Sequence, residues 1–322
     1  MSAEAGVHVV LGGSGSVGSA VVRLLMERPV ALRAVNRSGR IPFLPSRVPV
    51  VVAEAVAPDS LRRACQGAAV IYHCIHPSRD YGLLLPITRH IIDAAAGAGA
   101  LLVMAGNMDS YGPATGPLAE DAPLRPVSAA GRVHQAAAAL VAEAHTAGRV
   151  RAVIGRAAHC YGPHSRHVWP GVDFEAALLG RPTVVIGDVD APHSYTYVDD
   201  FARGLVALAG REEAWGKVWH IPGAPALPVR EFVKLVYAEA ATAPRLRVRG
   251  RLGLAVRSVV SPEADWLRQM LHQFDRPFVV DGSRFVVAFG AQPTPHREGI
   301  RRTMEWHRRR QNEARAVALR AR

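Results

Sequence analysis

Lysine is almost missing from this chain. Of 322 residues only Lys217 and Lys234 carry it, and arginine supplies the rest of the positive charge. Chemistry that needs an ammonium group in the first two hundred residues is therefore excluded. Cysteine is scarce as well: Cys65, Cys74 and Cys160 are an odd set without CxxC spacing. Neither a disulfide framework nor a thiolate metal site is expected, and the three read as small buried hydrophobes. No window approaches the roughly 20 uncharged apolar residues of a membrane span, and MSAEAGVHVVLGG has no basic stretch ahead of an apolar run. These absences predict a soluble, cytoplasmic protein with no membrane partner.

What is abundant is positive charge, +12 net. Such an excess points to nucleic acid or anionic surfaces when it is spread over a binding face. Here eight Arg against two Glu lie from Arg301 onward, so half of the excess sits in the final 22 residues. No aromatic interleaving or binding module accompanies them. The tail reads as a solvated helix, and no nucleic-acid partner is expected.

The first half alternates short β-branched runs with Ala-rich helical stretches, the pattern of βαβ units around a parallel sheet. Strands are predicted at Val7–Leu11, Val30–Val35, Val48–Val52, Ala69–Cys74, Ala100–Ala105 and Val150–Gly155. Helices are predicted at Ser16–Met26, Asp59–Cys65, Ile87–Ala98 and after Gly131. The expected fold class is α/β, a Rossmann-type doubly wound sheet with a smaller C-terminal substrate lobe. Residues 1–165 form the predicted NAD(P)-binding domain and 166–322 mainly the lobe, with Val218–Ile221 a candidate for return to the main sheet.

VHVVLGGSGSVGSAVVRLL carries the strongest local signal. Gly12, Gly15 and Gly18 form GxxGxxG between a strand and a helix, so backbone N–H groups and a positive helix N-terminus can meet a diphosphate. Ser14, Ser16 and Val17 complete the predicted cradle. The second strand runs into Asn36 and Arg37, where an NAD-specific site would have a carboxylate for the ribose hydroxyls. A guanidinium attracts a 2′-phosphate instead, so NADP(H) is favoured over NAD(H). Glu54 and Ala55, after VVV, fall at the predicted adenine end.

GGSGSVG, VVVAEA, VIYHC, AGNMDSYGP, GRVHQ, RAAHCYGP and HSYTYVDDFARGLVAL, in that order, resemble the extended or atypical short-chain dehydrogenase/reductases of the NAD-dependent epimerase/dehydratase type. The resemblance implies a Ser or Thr at the end of the fifth strand and a YxxxK pair on the next helix, in which Lys lowers the Tyr pKa and Tyr exchanges a proton as hydride moves. No YxxxK occurs in this chain. Aligned on GRVHQ, Pro126 takes the Tyr position and Ala130 the Lys position, while Asn107 replaces the Ser. Asp109 stands where a subgroup with an Asn at that place carries a Tyr.

Candidate catalytic residues are therefore Asn107, to polarise a carbonyl, and Asp109, Tyr111, His134 and His76, for protons. The alternative for each histidine is an ordinary satisfied core or surface residue. Tyr161, His164 and Trp169 are the predicted substrate-pocket residues. His159, His164 and His167 crowd one loop without ligand spacing, so no metal is expected. The expected protein is an NADP(H)-binding oxidoreductase or epimerase acting on a small oxygenated metabolite. Absence of the Tyr and Lys keeps open a non-redox cyclase, dehydratase or lyase on the same fold, or an NADP(H)-binding regulator. The Ala-rich helices Ile87–Ala98 and Gly131–Ala144 would allow a homodimer.

Overall fold

The structure, a computed structural model, describes residues 6–41, 44–77, 80–165, 171–249 and 267–320. Apolar, β-branched segments build a seven-stranded parallel sheet from β1 (Val7–Leu11), β2 (Ala31–Asn36), β3 (Val50–Val52), β4 (Ala68–His73), β5 (Leu101–Gly106), β6 (Arg151–Arg156) and, much later in the chain, Val218–His220. The spatial order is β3-β2-β1-β4-β5-β6 with Val218–His220 at the far edge. β1 pairs with β2 on one side and β4 on the other. The chain thus reverses its direction of travel at β1, and a crevice opens at the carboxyl ends of β1 and β4.

Burial on both faces follows from the twofold alternation of strand side chains. Val9, Leu11, Ile71, Leu102 and Ile154 face α2 (Pro58–Cys65), α3 (Leu84–Ala98) and α4 (Ala129–Thr146). Val10, Tyr72, Val103 and Val153 face α1 (Ser16–Met26) and a later helix, Val198–Ala209. Predicted and observed boundaries of these elements agree within about three residues.

Beyond β6 the chain builds the C-terminal lobe. β7 (His159–Tyr161) pairs with Tyr195–Tyr197, and Thr183–Ile186 pairs with Leu246–Arg249. The lobe core gathers Tyr161, Phe174, Val185, Tyr195, Phe232 and Tyr237. Against it lies a long last helix, His296–Arg320. The expectation of a wholly solvated tail needs correction at its near end: Ile300, Met304, Thr303 and His307 are buried, and Ile300 and Met304 belong to the lobe core. Arg301 and Arg302 stay outside and pair with Glu298 on the same helix. Among the described residues no helix is long and apolar enough to cross a membrane.

Candidate active site

The glycine turn is built by contact. Gly12 has φ +83°, and a Cβ there would lie 2.8 Å from the Cys74 carbonyl oxygen, so a side chain is doubly disfavoured. A Cβ on Gly18 would lie 2.2 Å from the Gly12 carbonyl oxygen. Gly15 differs: its conformation is extended, as N-cap of α1, and its nearest neighbour would be 3.4 Å away. Steric need explains Gly12 and Gly18, whereas Gly15 leaves backbone open to the crevice. α1 has no acidic residue in its first turn, so its N-terminal dipole is uncompensated. Ser14 is exposed at the turn, and Ser16 and Val17 line the cavity beyond it.

At the end of β2 the expected cofactor-site residue Asn36 is tied to its own loop. Asn36 is buried; its Nδ2 donates to the Arg40 carbonyl at 2.9 Å and its Oδ1 accepts from Gly39 N–H at 2.8 Å. Both ends of the amide shape the loop 37–40. Arg37 is exposed at that loop, and among the described residues nothing forms a hydrogen bond or ion pair with its guanidinium. Glu54 is exposed after β3, its backbone tied to Ser60 Oγ, and the Ala55 carbonyl faces His90 Nδ1 at 3.2 Å.

From the glycine turn a cavity of about 300 Å³ runs along the carboxyl ends of β4, β5 and β6 into the lobe. His76, Asn107, Asp109, His134 and His159 contribute its polar wall, and Leu84, Met104, Met270, Phe274 and Phe278 its apolar one. α4 starts at Ala129, two residues earlier than expected, because Ser128 caps it by accepting from Gly131 N–H at 2.9 Å. Pro126 therefore lies outside the helix, and the pairing of Pro126 with Ala130 as two helix positions fails. Ala130 and His134, four apart, both face inward.

His134 is the side chain that α4 delivers to the cavity. Its Nδ1 lies 3.0 Å from Asp109 Oδ2, the same oxygen that accepts from Asn107 Nδ2 at 3.0 Å. The 3.1 Å approach of Asn107 Nδ2 to His134 Nδ1 is thus two donors converging on one acceptor. Asp109 N–H donates back to Asn107 Oδ1 at 3.2 Å, which fixes the amide's orientation. The second carboxylate oxygen accepts from Gln273 Nε2 at 3.1 Å. Burial pushes the Asp109 carboxyl up, but hydrogen bonds from His134 and Gln273 and the charge on His134 outweigh it and hold the group at about 2. His76 stacks on His134 with ring centres 5.1 Å apart, and Tyr81 meets both rings edge-on.

Burial holds His76 down to about 4, helped by the charge of His134 and opposed by that of Asp109. His73 and His159 are held at about 4, again chiefly by burial. Each of these three takes up its proton more readily in the unfolded chain, near 6.5. The stability they confer is complete above that value and is lost as pH falls toward 4. With three groups the slope approaches ~4 kcal/mol per pH unit at its steepest. Thermal unfolding scans should show a midpoint that is level at neutral pH and drops steeply between pH 6.5 and 4. A midpoint constant down to pH 4 would mean that these rings are not buried neutral.

Several expected site residues lie elsewhere. Tyr111 is buried away from the cavity: its hydroxyl meets His220 Nε2 at 2.7 Å and its ring lies under Arg156. Tyr161 is enclosed in the lobe core, its hydroxyl 3.5 Å from His296 Nδ1. His164 meets Trp306 of the last helix at a tilt, ring centres 4.9 Å apart, outside the cavity lining. Trp169 lies outside the described residues. In their place the structure brings in Tyr81, His159 and the stretch containing Met270, Gln273, Phe274 and Phe278. Tyr81 and His159 sit beside motifs that were legible. Gln273 is 164 residues from the carboxylate it touches, and no local signal marks it.

The sheet order, glycine turn and cavity agree with a sequence match to the NAD dependent epimerase/dehydratase family over residues 8–221. The chain belongs to that family. The epimerase/dehydratase-family chain is 27% identical over 289 residues to the 2′-dehydrokanamycin reductase of Streptomyces kanamyceticus, covering 87% of this chain and 76% of that protein. In fold it is similar to the UDP-glucose 4-epimerase of Thermus thermophilus, solved with NAD: TM-score 0.76, 20% identity, 94% of this chain and 99% of that one. It is also similar to the UDP-glucose 4-epimerase of Thermotoga maritima, solved with UDP-glucose: TM-score 0.78, 18% identity, 94% and 99% coverage.

Proposed function

We propose that this chain is an NADP(H)-dependent oxidoreductase or epimerase acting on the carbonyl or carbinol carbon of a small oxygenated metabolite, with His134 as its proton carrier. The observation that carries this reading is the 3.0 Å His134 Nδ1 to Asp109 Oδ2 contact in the wall of the cavity that Ser16 and Val17 line from the cofactor side. Two inward positions four apart on α4 correspond to the family's YxxxK pair. His134 then occupies the lysine's place and Ala130 leaves the tyrosine's place without a hydroxyl. A carboxylate on Nδ1 fixes the tautomer and steadies the imidazolium, which leaves Nε2 to deliver or receive a proton at the substrate oxygen. Asn107 has a second amide hydrogen besides the one it gives Asp109, and that hydrogen, beside the His134 ring, would turn to a developing oxyanion.

Backbone groups of Gly12, Ser14, Gly15, Ser16, Val17 and Gly18 would hold the cofactor's diphosphate, Glu54 and Ala55 would meet its adenine, and Arg37 its 2′-phosphate. When bound there, the nicotinamide supplies or accepts hydride. Residues 1–165 then serve as the cofactor-binding domain, and the lobe supplies the substrate wall. The name of the 27% identical relative, a reductase, supports redox chemistry over a cyclase or lyase. Arg156 is the one arginine or lysine among the described cavity-lining residues. A compact, weakly charged reacting end fits that lining better than a diphosphate does.

The test is a fluorescence titration with NADPH and NADH, followed by absorbance at the reduced-nicotinamide band with a panel of small ketones and aldehydes. Turnover with NADPH is the expected result, and failure to bind either dinucleotide overturns the reading. A charge-assisted contact contributes roughly 1.5–3 kcal/mol. Arg37→Ala should therefore weaken NADPH about 10- to 100-fold and leave NADH nearly unchanged. Equal losses for both would place the 2′-phosphate elsewhere.

A further inference from the structure

The lobe reaches the proton-transfer centre through one short stretch. Gln269 and Gln273 stand four residues apart and face two different parts of the same apparatus. Gln269 Oε1 accepts from Ala129 N–H at 3.0 Å, one of the otherwise unpaired donors in the first turn of the helix that carries His134. Gln273 Nε2 donates to Asp109 Oδ1 at 3.1 Å. Gln273 is 1% exposed, seated in a 3₁₀ turn between Met270 and Phe274, both of which line the cavity. The carboxylate beneath His134 thus has three donors, and the lobe supplies the third.

Building on the His134 reading above, we propose that Gln273 is a positioning residue: docked from the lobe, it fixes Asp109 under His134 and sets how strongly His134 gives up its proton. The logic is electrostatic. Each donor on a buried carboxylate draws off part of its negative charge. Removing one leaves more of that charge for the partner imidazolium, which holds its proton harder. Because two of the three donors come from the Rossmann half and one from the lobe, acid strength reports whether this stretch is seated.

The titratable groups facing His134 are Asp109, His76 and Tyr81. Those that feel Asp109, apart from His134, are His76, His159 and His272. Of these, His159 also meets the Gln273 side chain, but burial holds that ring neutral, so the charge that a change at residue 273 alters beneath His134 is that of Asp109.

The experiment compares wild-type protein with Gln273→Met, which keeps length and burial but not the donor, and Gln273→Asn, which keeps the amide one methylene short. Histidine C–H signals are followed by NMR titration of the cofactor-free protein, with His134 assigned from the His134→Gln spectrum. In parallel, kcat/KM is measured against pH with NADPH. In Gln273→Met the His134 midpoint should rise by about half a pH unit or more, since the carboxylate that loses a donor holds the imidazolium's proton harder. The alkaline limb of the reductive pH profile should move the same way, and Gln273→Asn should fall between. An unmoved His134 midpoint in a variant that melts like wild type overturns the inference. Should Gln273→Met not fold, an unmoved midpoint in Gln273→Asn does the same. A midpoint that moves while the rate profile stays put would support the positioning role and count against His134 as the proton carrier, so the two proposals fail separately.

Discussion

With His134→Ala, kcat/KM for carbonyl reduction is expected to fall by about 10²- to 10⁴-fold, the range spanned by a positioned general acid, while NADPH affinity stays within about twofold. The split follows from geometry. His134 faces the cavity from α4, with Asp109 and His76 against its ring, while the glycine turn that would hold the diphosphate is a separate structure at the start of α1. The variant also strips Asp109 of one of its three donors, so the lost hydrogen bond must be told apart from the lost acid. Asp109→Asn makes that distinction. It keeps the shape but exchanges an anionic acceptor for an amide that can turn its NH₂ toward Nδ1 and impose the other tautomer. If His134 carries the proton, Asp109→Asn should lower kcat by ~10²-fold or more, as tautomer errors behind a catalytic histidine do. Steady-state rates and NADPH titrations on both variants settle the point, and added imidazole should restore part of the His134→Ala activity. Retention of more than half of the wild-type kcat by His134→Ala would move the acid to another group, with Tyr81 the nearest hydroxyl-bearing ring.

Sequence patterns located the sheet well because both of its faces are covered. Valine-rich runs such as Val7–Leu11 leave little freedom in strand placement. They located the catalytic wall less well, for reasons visible in single residues. Asn107, Asp109 and Tyr111 read as one strand end at alternate positions. β5, however, stops at Gly106, and the Tyr111 N–H turns back to the Met108 carbonyl at 3.1 Å. That turn swings the tyrosine under Arg156 and toward His220, while Asn107 and Asp109 stay at the cavity. The α4 register slipped because Gly131 resembles a helix boundary, whereas the true cap is Ser128, whose hydroxyl claims the Gly131 amide. Tyr161 follows the same logic in reverse: its position in a YGP turn is legible, but packing against Phe232 and Tyr197 draws it into the lobe core. Gln273 lay beyond reach because its meaning comes entirely from a long-range contact.

The glycine turn allows fold and ligand demands to be separated by a pair of substitutions. Gly18→Ala puts a methyl 2.2 Å from the Gly12 carbonyl oxygen and 2.8 Å from its carbon. Backbone cannot swing aside as a side-chain tip would, and Gly12 is further held by its N–H bond to the Val35 carbonyl at 3.1 Å. Overpacking of this kind costs roughly 1–3 kcal/mol. Gly18→Ala should therefore melt earlier and, with the turn displaced, bind NADPH about 10- to 100-fold more weakly. Gly15→Ala meets nothing closer than 3.4 Å and keeps an extended backbone that any residue adopts. Its melting point should match wild type, so any loss of NADPH affinity there measures how closely the diphosphate approaches the amides of α1. Calorimetric titration and melting curves on the two variants give both quantities. Unchanged affinity in both would mean that no dinucleotide rests on this turn, and the hydride chemistry inferred for the neighbouring cavity would then lack a donor.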